Sequence, residues 1–158
     1  MTASLVGYGV LGVVSTAFAC WANRRLFTGR QAGRVSLLEG LFYLFGLVSL
    51  GLGWYFNIRY THADPHASYV NYTKALFSNW ASDSAAQDYI MVNLVLLPLW
   101  TIVDGRRRSL RVPWIFFVMS LFTSLAFSMA VYLAFVERQI RYNREGSDRE
   151  EPAVSSTS

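Results

Sequence analysis

The chain has 158 residues, of which 53% are hydrophobic and 15% charged, with a formal net charge of +4. Its apolar residues are gathered into long blocks separated by short charged stretches, the pattern of a membrane protein rather than of a soluble core. The basic excess is almost all arginine flanking those blocks, which places it at lipid headgroups and argues against a nucleic-acid partner, whose footprint is a continuous soluble face. The length suits one helical bundle without a second folded domain. Cys20 is the single cysteine, so no intrachain disulfide can form. Asn23-Arg24-Arg25 follows Ala17-Phe18-Ala19-Cys20, whereas a secretory signal carries its charge before the apolar region, so lipidation at Cys20 is not expected.

Residues 5–22 read as a first span, uncharged and closed by Trp21 at interfacial depth. Gly9, Gly12, Thr16 and Ala19 share one side, where a neighbouring helix can come close. A loop with Arg24, Arg25, Arg30 and Arg34 follows, with Gly29 and Gly33 as turn signals. The second span is expected over 37–56, ending in the aromatic collar Trp54-Tyr55-Phe56, with Gly46, Ser49 and Gly53 as a small-residue stripe. Glu39 lies shallow in it, and an ionised carboxylate there needs a partner. The arginines of the preceding loop are the expected partners; the functional alternative is a proton-active or substrate-facing carboxylate.

The connection from Asn57 to Asp88 holds His62, Asp64 and His66, whose side chains are zinc or iron ligand types. Pro65 keeps the two histidines off one helical face, so an exposed turn is expected and no metal is assigned. Tyr69, Tyr72, Phe77 and Trp80 recur among polar neighbours and predict a short amphipathic helix at headgroup level. Ser82-Asp83-Ser84 is expected to cap the next helix.

The third span is expected over 86–103. Asn93, Trp100 and Asp104 fall on one face, and Pro98 removes a backbone hydrogen bond, so the helix should loosen near Asn93 to Leu97. A tight basic hairpin from Asp104 to Val112 leads to Pro113, a favourable helix start, and to a fourth span over 113–136. Ser120, Ser124 and Ser128 repeat every fourth residue, as do Ala126, Ala130 and Ala134, two ladders of the kind by which helices pack in lipid. Glu137 and Arg141 are spaced for pairing. Residues 146–158 are expected to form a disordered tail. The expected fold is therefore all-α: a four-helix transmembrane bundle over 1–145 with an interfacial amphipathic segment and that tail. Four crossings with cytoplasmic arginine loops put both termini outside the cell membrane. The arginines after the last span, Arg138, Arg141, Arg144 and Arg149, sit awkwardly with that orientation.

From Leu41 onward the chain resembles a family of small, uncharacterised bacterial inner-membrane proteins known as a domain of unknown function. The resemblance rests on an aromatic-rich span followed by Phe77-Ser78-Asn79, the step Ala81-Ser82-Asp83, the turn Arg106-Arg107-Arg108, Trp114, a serine-bearing last span and Glu137-Arg138. It implies a multi-pass membrane protein and brings no activity with it.

No motif names a reaction or a cofactor. The reading that follows is a non-enzymatic accessory factor or subunit of a larger membrane complex, or a homo-oligomer, motivated by the ladders of the last span. The alternatives are an intramembrane enzyme on a lipid or isoprenoid, resembling small terpene cyclases, and a small transporter. The enzyme would draw on Glu39, Asp83, Asp88, Asn93 and Asp104, since burial can keep a carboxyl protonated for general acid work.

Overall fold

The computed structural model describes residues 2–28, 34–64 and 66–150, and every regular element among them is helical. Helix α1 covers Thr2–Ala22 and passes into a short 3-10 turn, Arg24–Phe27. Helix α2 covers Leu37–Ala63, opened by Ser36, whose hydroxyl accepts from the Glu39 amide at 3.1 Å. It runs past the expected end at Phe56, because Asn57 to Ala63 contains no glycine or proline to stop it. Helix α3, Tyr69–Leu76, is the short helix expected after Pro65, which itself lies outside the described residues, as do Gly29, Arg30 and Gly33.

Helix α4 spans Trp80–Ile90 and starts earlier than expected. Its cap is Asn79, whose side-chain oxygen accepts from the amides of Ala81 and Ser82, both at 3.1 Å; Ser82-Asp83-Ser84 lies inside the first turns. A π-helical turn, Met91–Leu96, joins α4 to α5, Leu97–Arg107. Pro98 cannot donate to the carbonyl one turn before it and its ring would strike that carbonyl, so the helix widens where the proline would otherwise collide. The loosening expected at Asn93 to Leu97 is this wide turn.

Among the described residues, three helical stretches are long and apolar enough to cross a membrane: Leu5–Ala22, Leu37–Ala63 and the continuous rod Trp80–Arg107. The fourth apolar block departs from expectation. It is not one rod over 113–136 but two helices, α6 over Ile115–Phe122 and α7 over Leu125–Glu150, broken at Thr123 and Ser124. Ser124 caps α7 by accepting from the Phe127 amide at 3.1 Å. The Thr123 hydroxyl meets the Met119 carbonyl at 2.7 Å, and the Ser128 hydroxyl crosses to the Phe116 carbonyl. Backbone groups at a break inside an apolar body need such partners.

The broken pair folds back on itself. Phe116 on α6 sits edge-on to Tyr132 and Phe135 on α7, at 5.2 and 5.5 Å between ring centroids. Along α1, Arg111 lies beside Asn23, while the tip residues Phe122 and Thr123 lie against Gly12. Along α2, Arg138 meets Glu39, Ala130 meets Gly46, and Ser124 meets Ser49 at 3.1 Å. The hairpin thus enters at the arginine-rich end of the helices, turns at the level of Gly12 and Ser49, and returns to the end it came from. Helix α6 is about 12 Å long and α7 covers roughly 20 Å from Leu125 to Arg138, against a hydrocarbon core of roughly 30 Å. Phe116, Met119, Val131, Tyr132 and Phe135 are its buried centre, and α1, α2 and α5 pack around it.

The remaining corrections follow from the hairpin. Gly9, Gly12 and Ala19 of α1, Gly46 and Ser49 of α2, and Ser124, Ser128, Ala130 and Ala134 of the ladders are spent inside the chain. Helix α7 continues to Glu150, past the expected start of a disordered tail at Gly146, because its Arg, Gln and Glu residues are good helix formers. Residues 151–158 lie outside the described residues. The turn from Arg108 to Trp114 places Ser109 and Val112 at φ 60° and 55°, and Gly105 makes room for Pro113, which a Cβ would approach to 2.6 Å.

A Cβ at Gly12 would come within 2.9 Å of the Thr123 side chain and 3.2 Å of the Phe122 carbonyl, whereas Gly51 has open space around it. Gly12→Leu is therefore expected to destabilise the protein by about 1–3 kcal/mol and Gly51→Leu to leave it nearly unchanged. Thermal unfolding of both variants in one detergent checks the contrast.

Candidate functional site

The densest polar site lies where α7 crosses the first turn of α2. Ser36 and Glu39 have the serine-x-x-glutamate spacing of a capping box, but only the serine half is made. The Glu39 side chain turns inward, is 0% exposed, and receives two guanidiniums from α7. Arg138 Nε and Nη2 lie 2.7 and 2.6 Å from Glu39 Oε1, and Arg141 Nη2 bonds Oε2. Arg138 also donates to the Leu26 carbonyl at 3.3 Å and lies over the Phe27 ring at 4.5 Å, while Arg141 donates to the Arg34 carbonyl at 2.8 Å. One carboxylate thus joins α2, α7 and the chain after α1. Among the described residues of the preceding loop, Arg24, Arg25 and Arg34 do not pair with it, and Arg141 does not pair with Glu137, which accepts from the Ser36 hydroxyl at 3.2 Å.

Asp104 is the centre of a second lock. It accepts from Arg108 Nε at 2.9 and 2.8 Å on its two oxygens and from the Tyr132 hydroxyl at 2.6 Å, tying α5 to α7. Asn93 stands in the π-turn and is buried. Its side-chain oxygen accepts from the Ser120 hydroxyl of α6 at 2.7 Å, and its amide nitrogen donates to Tyr89 at 3.2 Å. Asn93 thereby cross-links the third rod to α6. Trp100, expected on the Asn93–Asp104 face, is 55% exposed and lies in a groove instead of in the seam.

The other candidates stand apart. Asp83 sits in the first turn of α4 with one carboxylate oxygen buried and without a hydrogen-bond partner among the described residues. Asp88 is exposed and accepts from Gln87 at 2.6 Å. Asp64 accepts from the His66 amide at 2.8 Å and from the Tyr60 hydroxyl at 3.4 Å, which commits its oxygens to closing the end of α2. His62 and His66 are exposed, and the described residues contain no group of three or more His, Cys, Asp or Glu side chains placed to hold a metal ion.

Sequence reasoning missed Asn23. It is buried, and it accepts from the Arg111 amide while donating to the Arg111 carbonyl, both at 2.9 Å. Beside it Arg25 bonds the Ser109 carbonyl. These bonds hold the turn that carries two left-handed residues. Their only signal in sequence is an asparagine at a helix end, which ordinarily reads as a local cap.

Fold and site together describe a small helical protein whose described residues include three membrane-capable helices, braced by the buried Glu39–Arg138 ion pair. A family model described as "Protein of unknown function DUF2834" matches residues 41–138, more than half of the chain, and the chain belongs to that family. The matched region starts just after Glu39, takes in Asn93, Asp104, Ser120 and Tyr132, and ends on Arg138. Comparison with curated proteins and with solved structures finds no match.

The two arginines on Glu39 are not equivalent. Glu39→Leu strands two buried guanidiniums and is expected to destabilise the protein by roughly 3–5 kcal/mol. Arg141→Leu leaves the Glu39–Arg138 pair intact and should cost distinctly less. Denaturation midpoints of the two variants, measured side by side, give the order.

Proposed function

We propose that this chain is a non-enzymatic multi-pass membrane protein, an accessory factor or subunit of a larger membrane complex, with a half-depth hairpin as its core. The observation that supports it is the use made of the acids inside the helical body. Glu39 and Asp104 are each bound by side chains from other elements or turns, and two grooves, one between α5 and α7 and one between α1 and α2, are lined by almost wholly apolar atoms. An enzyme acting on a lipid or isoprenoid needs a carboxyl that can hold and release a proton beside its substrate. The Glu39 oxygens are instead taken up by the guanidiniums of Arg138 and Arg141, which leaves neither facing a substrate. The Asp83 oxygen favours the enzymatic reading most, but Asp83 lines neither groove.

Apart from Ala126, which is exposed, the small-residue ladders no longer argue for a partner, since the chain uses them itself. A partner surface is better sought at the opposite end from the arginines, where Val70, Phe77 and Trp80 are exposed, Trp80 at 91%. Crosslinking in membranes is expected to recover a specific partner or a second copy through this segment. A monomer that captures nothing would count against the subunit reading.

Topology follows from counting three crossings and one hairpin that does not cross. The arginines before α2, in the turn after α5 and along the end of α7 then all lie at one end, which the distribution of positive charge places in the cytoplasm. The amino terminus is outside and the carboxyl terminus inside, in place of both outside, because that expectation depended on a fourth crossing. In a Cys20→Ser background, His66→Cys is expected to react with a membrane-impermeant maleimide on intact cells and Arg144→Cys to react only after lysis. Labelling of Arg144→Cys from outside would restore the four-crossing scheme.

A further inference from the structure

An apolar groove of about 700 Å³ runs between α5 and α7. Leu96, Trp100 and Val103 line one side, and Leu125, Ala126 and Met129 the other. The two helices are pinned together at Asp104 and Tyr132, so the groove is the space left where they diverge beyond that pin. One turn past Val103, at the arginine end, Arg106 and Arg107 are exposed, and neither guanidinium is hydrogen-bonded or ion-paired to a described residue. The nearby acids are already engaged: Asp104 by Arg108 and Tyr132, Glu39 by Arg138 and Arg141, Glu137 by Ser36.

A hydrocarbon trough that ends under exposed cations matches an amphiphile with an anionic head. The trough walls also discriminate. A neighbouring helix packs in lipid where small residues let backbones approach, and here Trp100, Leu99 and Met129 stand in the way, whereas a flexible chain can lie among them. We infer that this groove seats an acyl chain of an anionic phospholipid, with the lipid phosphate on Arg106 and Arg107. The inference rests on the membrane reading above and adds to it a defined lipid site.

The test is native mass spectrometry of the full chain in mild detergent, offered phosphatidylglycerol and phosphatidylcholine with identical acyl chains. Phosphatidylglycerol is expected to be retained about tenfold over phosphatidylcholine, the scale of one to two arginine–headgroup contacts. The double variant Arg106→Gln/Arg107→Gln should abolish that preference, and Ala126→Trp, which fills the groove, should lower retention with the charges intact. Arg24→Gln, at the same end but beside Trp21 on α1, should retain the lipid as the parent does. Equal retention of the two lipids, an equal loss in Arg24→Gln, or a protein chain held in the lipid's place would overturn the site. Alkaline carbonate extraction separates the two levels: a parent protein that stays in the membrane pellet but shows no lipid preference sinks the lipid site alone, and a parent protein released by carbonate sinks the membrane reading with it.

Discussion

The position of Glu39 determines where the end of α7 must lie. A carboxylate shielded from water has to be met by opposite charge or neutralised. Its two guanidiniums come from Arg138 and Arg141, so the last part of α7 is brought to the start of α2. With α6 already descending from that same end beside α1, the two helices between Pro113 and Arg138 can only go in and come back. Asp104 with Tyr132, and Asn93 with Ser120, attach the third rod to the same hairpin. Three otherwise separate helices thereby share one centre.

That arrangement removes a conflict in the charge pattern. With a fourth crossing, Arg138, Arg141 and Arg144 would sit across the membrane from Arg24, Arg34 and Arg106. With the hairpin they stand beside them, and Arg25 reaches Gln139 on α7 at 3.3 Å. Arginines outnumber the acids left over at that end, since Glu39 and Asp104 are paired within the structure and Glu137 is met only by the Ser36 hydroxyl. The opposite end carries Arg59, Lys74, Asp64, Asp83 and Asp88 in a more even mixture.

Much of the helical content was legible because apolar blocks of that length have few other solutions, and the loosened turn before Pro98 follows from proline chemistry alone. The break at Thr123 and Ser124 was not legible. It contains neither proline nor glycine, and Ser124 falls in a four-residue repeat with Ser120 and Ser128 that reads equally well as a packing ladder. Its actual role, capping α7, becomes visible only once the chain is seen to reverse. Glu39 illustrates a different limit: its need for arginine could be read from burial, but not which arginines, since the ones in use lie about a hundred residues away in sequence. Asn23 carried no distinguishing signal, because a side chain that braces a distant turn looks like any polar residue at a helix terminus.

The length of α2 has a consequence of its own. Its 27 residues extend about 40 Å, some 10 Å more than a typical hydrocarbon slab. Such a mismatch is relieved by tilting the helix or by letting it stand proud of the bilayer. The final turns hold Asn57, Arg59, Thr61 and His62, residues that belong in water, so in the membrane arrangement proposed above the rod projects. In that arrangement it is a rigid post, with the Tyr60 ring set against Tyr72 at 5.4 Å, and it carries α3 at its projecting end.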